Sequence, residues 1–164
     1  MTIRATAVMA CDYDNPAHLQ AVASLLNGYI EDEMGGGTLL SAEEQTRLTG
    51  ELCCRPASVV LLAESGGVYC GLLVAFENYS TFTVRPMMNI HDVFVLKTHR
   101  GKGIGRRLMQ AAVDEAEKRS CSRVTLEVRQ DNVVAQNLYR SIGFDETDPP
   151  MYYWRKYLGR KIKI

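Results

Sequence analysis

The stretch from Asn89 to Ser120 constrains the chain more than any other, because a strand pattern runs directly into a glycine-rich basic turn and then into a helix pattern. Ile90, Val93, Phe94, Val95 and Leu96 suit a buried strand. From Gly103 the apolar positions Ile104, Leu108, Ala111 and Ala112 recur at helical spacing, with Arg107, Asp114, Glu117 and Lys118 on other faces. The turn Arg100-Gly101-Lys102-Gly103-Ile104-Gly105 therefore lies at a helix N-terminus. There the first backbone N–H groups lack intrahelical partners and the helix dipole is positive. Alternating glycines remove the Cβ atoms that would hold a ligand away from those groups. Arg100, Lys102, Arg106 and Arg107 surround them with positive charge. The pattern predicts a site for a phosphorylated ligand, a diphosphate above all. The alternative is a tight strand-to-helix turn with a solvated basic rim; three alternating glycines and four cations weigh against it.

Two familiar phosphate motifs fit poorly. No Gly-x-x-x-x-Gly-Lys-Ser/Thr string occurs. A dinucleotide fingerprint would need a third glycine where Arg106 stands, although Glu127 supplies an acidic residue at the end of the next strand. What the turn resembles is the acetyl-CoA signature of the GNAT N-acetyltransferase superfamily, Arg/Gln-x-x-Gly-x-Gly/Ala, met by Arg100, Gly103 and Gly105. A second block, Asn132 to Phe144, follows that family's Asn-x-x-Ala-x-x-Leu-Tyr-x-x-x-Gly-Phe pattern through Asn132, Ala135, Leu138, Tyr139, Gly143 and Phe144. The blocks stand in the family's order with one strand between them.

The rest of the chain reads as a single domain over 1–158 with a short basic tail at 159–164. Ala5 to Cys11 reads as a strand, and Asn15-Pro16 as a helix start with an N-cap side chain and proline at N1. Leu19, Val22, Ala23, Leu26 and Ile30 give that helix an apolar face, which runs out near Glu31-Asp32-Glu33. Ser41 with Glu44 forms a capping box for a second helix that Pro56 stops. Val59–Glu64 and Val68–Asn78 are strands joined by Ser65-Gly66-Gly67. Tyr79 to Met87 extends the third strand or loops out. After the central strand and helix come a strand over Arg123–Arg129, a helix over Asn132–Ile142 ended by Gly143, and last strands from Phe144, including Met151–Tyr157. The order is β-α-α-β-β-β-α-β-α-β-β, an α+β mixed sheet.

The resemblance implies the GNAT acyl-CoA N-acyltransferase fold, in which a mostly antiparallel sheet splays between its fourth and fifth strands. It implies acetyl-CoA as cosubstrate, with Val93, Phe94 and Val95 pairing with the pantetheine arm. Arg100, Gly101, Lys102, Gly103, Ile104, Gly105 and Arg106 would then cradle the diphosphate, and Asn132 and Ala135 meet the coenzyme arm. Amine acetylation needs a base, because a protonated amine has no lone pair to attack with. It gains from an acid at the departing sulfur, and Tyr139 takes that part by its place in the second block. His91 and Asp92 are the candidate base and its orienter; in polyamine acetyltransferases, which this region resembles, the His91 position tends to be Glu. Strict alternation sets the two on opposite faces unless a bulge intervenes. His18 and His99 read as surface histidines. Glu31, Asp32 and Glu33, with Glu77, are read as an acidic entrance attracting a small cationic amine, a polyamine first, against a solvated helix end. A protein lysine or N-terminal amine is the next acceptor class, and an antibiotic or amino-acid amine the third. A catalytically silent CoA-binding sensor and an NAD(H)-dependent oxidoreductase are the other functions weighed.

Formal charge is zero and pI is about 6.8, which gives no global attraction to nucleic acid or an anionic membrane. The five cysteines lack C-x-x-C spacing, as expected of reduced thiols in a cytoplasmic protein with no disulfide or metal framework. No signal sequence or membrane span is read. Proteins of the family the chain resembles often pair through late strands, and with Tyr152, Tyr153 and Trp154 clustered there the resemblance implies a homodimer.

Overall fold

The computed structural model describes residues 6–158. Ala5 of the first expected strand and the basic tail lie outside the described residues. The elements are β1 (Ala7–Ala10), α1 (Pro16–Ile30), α2 (Ala42–Cys53), β2 (Ser58–Ser65), β3 (Val68–Ser80), β4 (Arg85–Val95), α3 (Ile104–Lys118), β5 (Val124–Leu126) and α4 (Val133–Arg140), with a single 3-10 turn at Lys97–His99. One five-stranded sheet runs in the order β1-β2-β3-β4-β5. All its pairings are antiparallel except the last, β4 with β5.

The sheet separates two apolar layers. On one face α3 lays Ile104, Leu108, Met109, Ala112 and Ala116 against Leu61, Leu73, Ala75, Met88 and Ile90. Gly71 permits that approach: a Cβ there would stand 3.0 Å from Leu108. On the other face α1 and α2 cover Val60, Leu62, Leu72, Val74 and Phe94. Gly28 lets α1 close on β4 in the same way, since its Cβ would meet the Phe94 ring at 3.2 Å.

Local capping explains the helix ends. Asn15 accepts from the Ala17 N–H with Pro16 at the first helical position. Ser41 and Glu44 bond each other's backbone in a complete capping box. Beyond α4, Gly143 at φ +93° lets its own N–H reach Arg140 and the Phe144 N–H reach Tyr139, a Schellman closure.

Three expectations are corrected. His18 is buried at 7% exposure: its Nδ1 accepts from the Asp12 N–H, and its ring meets Tyr69 edge-on at 5.3 Å. The buried side of α1 is accordingly His18, Ala21, Val22, Ala23 and Leu25. The fifth strand stops at Leu126 instead of Arg129, because β4 has diverged and offers no ladder to Glu127 and beyond. Among the described residues no strand follows Leu126. Tyr152 and Trp154 stand 87% and 86% exposed, so nothing rewards strand formation there with burial.

Candidate active site

The site begins where β4 and β5 part. Only Met88–Ile90 pair with Val124–Leu126, a short zip reinforced by a hydrogen bond from Asn89 to the Thr125 hydroxyl. Past Ile90 the strands splay, and the gap opens into a cavity of about 770 Å³, within the usual range of small-ligand pockets. Ile90, His91, Val93, Phe94 and Val95 form one wall, and Leu126 to Arg129 form the other.

The β4 wall carries unpaired backbone. The Leu96 N–H bonds Cys70 on β3 at 2.9 Å, and the Met88 N–H bonds Arg123 on the β5 side at 3.0 Å. Alternation from Leu96 turns the N–H and C=O of Val93 and Val95 into the gap, and those of Phe94 into the β3 ladder. Groups left by a departed strand need a partner. The Val95 carbonyl has one, the Arg100 Nε at 2.9 Å.

Between these positions lies a β-bulge. Val74 pairs with Asp92 and Ala75 with Ile90, so His91 is an extra residue in β4. The bulge resolves the alternation problem. Asp92 stands opposite Val74, which faces the α1–α2 layer, and His91 meets Phe76 of the same layer edge-on at 6.0 Å. His91 and Asp92 are thus brought to one side of the sheet. Burial raises the Asp92 carboxyl above the usual carboxylate range, and the neighbouring His91 charge offsets part of that.

At the other end of the gap the turn behaves as a helix-terminal cradle. Gly101 and Gly103 adopt φ +74° and +77°, a left-handed conformation costly for residues with a Cβ. Gly103 is the N-cap of α3, and no side chain caps that end. Its first N–H groups are therefore left for a ligand. Gly105 has a packing reason as well: a Cβ there would stand 3.2 Å from Leu138 of α4. Arg106 binds the Ser141 hydroxyl at 2.6 Å and so ties α3 to the end of α4. Lys102 turns away to the Thr98 carbonyl at 3.0 Å and does not line the cavity. Asn132 caps α4 through the Ala135 N–H at 3.1 Å, and both residues line the gap.

Two tyrosines line the cavity. Tyr139 of α4 packs against Phe144, and burial pushes its hydroxyl up to about 12, with the nearby Tyr29 adding to the rise. It therefore stays protonated at neutral pH. Tyr29 of α1 lies against Phe94 with ring centres 5.9 Å apart. Burial raises its hydroxyl too, followed by the negative charges of Asp92 and Asp32.

The four acidic residues expected at the entrance are not brought together. Asp32 and Glu33 line the cavity, whereas Glu31 and Glu77 do not. Asp32 is buried and holds Arg100 Nη2 at 2.7 Å, with Lys97 Nζ at 3.9 Å. Glu33 is exposed and lies 3.9 Å from Lys97. Glu77 pairs with Arg119 at 3.2 Å, on the α3 side. Lining residues that the sequence pattern leaves unassigned include Tyr29, Met34, Lys97, Arg129 and Val134; His99 is half-buried and borders the cavity. Tyr29 carries a faint signal, one position before the last residue of an apolar helix face; the others become neighbours only through folding.

Among the described residues no group of three or more His, Cys, Asp or Glu side chains is placed to hold a metal ion. No helix there is long and apolar enough to cross a membrane. Sheet, splay and helix-capped cleft are together those of an acetyltransferase. The chain belongs to the GNAT acetyltransferase family, whose model matches residues 23–144. It is 30% identical over 133 residues to the uncharacterized N-acetyltransferase YhfO of Bacillus subtilis strain 168, covering 81% of this chain and 87% of that protein. It is 28% identical over 109 residues to the aminoglycoside N(6′)-acetyltransferase type 1 of Acinetobacter haemolyticus, 65% of this chain and 75% of that one. Among solved structures, a probable acetyltransferase superposes with a TM-score of 0.78 at 23% identity, covering 95% and 99% of the two chains. Aminoglycoside N-acetyltransferase AAC(6′)-Iy, solved in complex with CoA, superposes with a TM-score of 0.74 at 17% identity, covering 94% and 97%.

Proposed function

We propose that this chain transfers the acetyl group of acetyl-CoA to a primary amine of a small cationic substrate by direct attack. The observation that carries the reading is the single continuous gap between β4 and β5. It has a Gly103-capped helix start at one end and Tyr139, Tyr29 and His91 along its length. In this reading the N–H groups at the start of α3 hold the diphosphate, and the inward backbone groups of Val93 and the Val95 N–H pair with the pantetheine amides. Bound there, acetyl-CoA supplies an activated thioester carbonyl.

The chain's own groups then divide the proton work. His91, on the bulge and open to the cavity, takes the proton that the ammonium must lose before its nitrogen can attack. Asp92, adjacent and half-buried, orients the imidazole and stabilises its charged form. A β4 N–H facing the gap stabilises negative charge as it builds on the carbonyl oxygen. Tyr139 gives its proton to the sulfur as the carbon–sulfur bond breaks, and its raised hydroxyl keeps that proton available at neutral pH. Tyr29 lines the side from which α1 approaches and offers the acceptor a hydroxyl. Support for a small amine comes from the likeness to an aminoglycoside acetyltransferase. A second acceptor class is favoured by 35% identity over 94 residues to the ribosomal protein bS18-alanine N-acetyltransferase of Escherichia coli K12, 57% of this chain and 62% of that protein.

The test is acetyl-CoA turnover, followed by thiol release, with diamines, polyamines, aminoglycosides, amino acids, lysine peptides and peptides beginning in alanine. Release with the small polyamines or aminoglycosides is expected. Release with peptides alone would move the acceptor to protein amines, and CoA binding without release for any amine would make the chain a sensor.

A further inference from the structure

Asp32, a buried acid lining the cavity, is paired with a cation of the glycine turn. Asp32 follows α1 directly and its side chain is only 5% exposed. It receives Arg100 Nη2 at 2.7 Å and the Met34 N–H at 3.2 Å, with Lys97 Nζ at 3.9 Å. Burial alone would raise this carboxyl; the Arg100 hydrogen bond, the Met34 N–H and the charges of Arg100 and Lys97 outweigh burial and hold it below the usual range. Arg100 has two further contacts: its Nε bonds the Val95 carbonyl and its guanidinium lies 5.7 Å from the centre of the Phe94 ring. The residue immediately before Gly101 is thus a cation already neutralised by a segment 68 positions away.

The same contact ties one end of the arc between α1 and α2 to the turn after β4. The far end is pinned separately, because Asn27 bonds both the N–H and the C=O of Leu40, at 2.9 and 3.3 Å. Between these anchors lie Gly35, packed too closely on the Tyr29 carbonyl to admit a Cβ, and Gly36 and Gly37 at φ +140° and +117°, which bend with little resistance. Backbone bonds from the Asp32 N–H to Tyr29 and from the Gly35 N–H to Asp32 hold the arc's near end to α1, and the Asp32 side chain adds the tie from the arc to the turn after β4.

We propose that Asp32 is a positioning residue that competes with the coenzyme's diphosphate for Arg100 and Lys97, so that coenzyme binding unfastens the α1–α2 arc. The inference rests on the acetyl-CoA reading above. A diphosphate presents more charge and more acceptor oxygens than one carboxylate, and guanidinium groups pair with both. Once it draws the two cations, Asp32 is left buried with only the Met34 N–H, and a buried carboxylate that has lost its charge partners turns to water. It carries residues 33–39 with it, and the acceptor site opens after the coenzyme is bound.

Calorimetric titration of CoA into the wild-type chain and Asp32→Asn tests this. The isosteric amide removes the competing charge, so the variant is expected to bind CoA about three- to tenfold more tightly, the effect of one like charge several ångströms from the phosphates. A variant that merely loosened the fold would bind more weakly, and equal or weaker affinity overturns the proposal. The wild-type chain gives a second readout independent of any substitution. Saturating CoA should speed amide hydrogen exchange across residues 33–39 by at least about threefold, as local anchoring is lost. Unchanged or slower exchange there overturns it equally. Failure of the wild-type chain to bind CoA at all would remove the acetyl-CoA reading itself, whereas binding without these two differences removes only the role of Asp32.

Discussion

The parts of the cleft proposed to take the coenzyme and the acceptor are built in opposite ways. The cradle comes from consecutive residues, with Arg100 to Arg106 turning one strand into one helix, and its geometry is set by two left-handed glycines and an uncapped helix start. The half proposed to take the acceptor is lined from distant segments: Tyr29 from α1, Asp32 and Glu33 from the arc after it, His91 from a bulge in β4 and Tyr139 from α4. A local device tolerates little internal change and needs few partners. A composite one depends on the whole fold, and any one of its parts can be exchanged without dismantling the rest.

Substitutions can separate the two halves. The largest effect is expected from Tyr139→Phe, which should lower kcat by about 10²-fold or more, the usual worth of a positioned acid. CoA affinity measured by calorimetry should stay within about twofold, because only a hydroxyl is removed. Loss of affinity comparable to the loss of rate would merge the halves. Gly103→Val attacks the other side. A β-branched residue at φ +77° costs about 1–2 kcal/mol of strain, and its side chain would enter open space bordering the cavity. The KM for acetyl-CoA should rise by about tenfold or more, with kcat at saturation less affected.

His91→Ala sharpens the acceptor side. The acid limb of the pH–rate profile should flatten if the imidazole is the base, and an unaltered limb would hand the role to Asp92. The smallest effect is on stability. The folded-state pKa of Asp92 is raised, so between its unfolded value of about 3.9 and its folded value the native chain binds the extra proton. The ionised carboxylate therefore costs stability above its folded pKa, and that cost fades on acidification. Asp92→Asn should raise Tm at neutral pH, with the gain shrinking as the pH is lowered towards 4; a gain that is constant across that range would dissociate the effect from ionisation.

The difference between the halves is also the difference in what the sequence makes legible. Asn15-Pro16, the Ser41–Glu44 capping box and the glycine turn were readable because each is decided within a few residues. His18 was misread because its burial depends on Tyr69 and Asp12, which no helical periodicity includes. Asp32 was read as an entrance charge because its partner lies across the fold, and Glu77 likewise answers to Arg119. Tyr152 and Trp154 have the composition of a strand, but a strand also requires a neighbouring ladder. Local chemistry spoke clearly; pairing register and long-range charge did not.

The bulge at His91 has a consequence for how this strand tolerates change. Ile90 and Asp92 already oppose consecutive residues of β3, so His91 is surplus to the pairing count. Excising that one position, unlike replacing it, would let the strand run straight while each cross-strand neighbour kept its mate and each side chain its face. The inserted residue supplies the crook that offers a ring to the opening, and the sheet would close seamlessly without it.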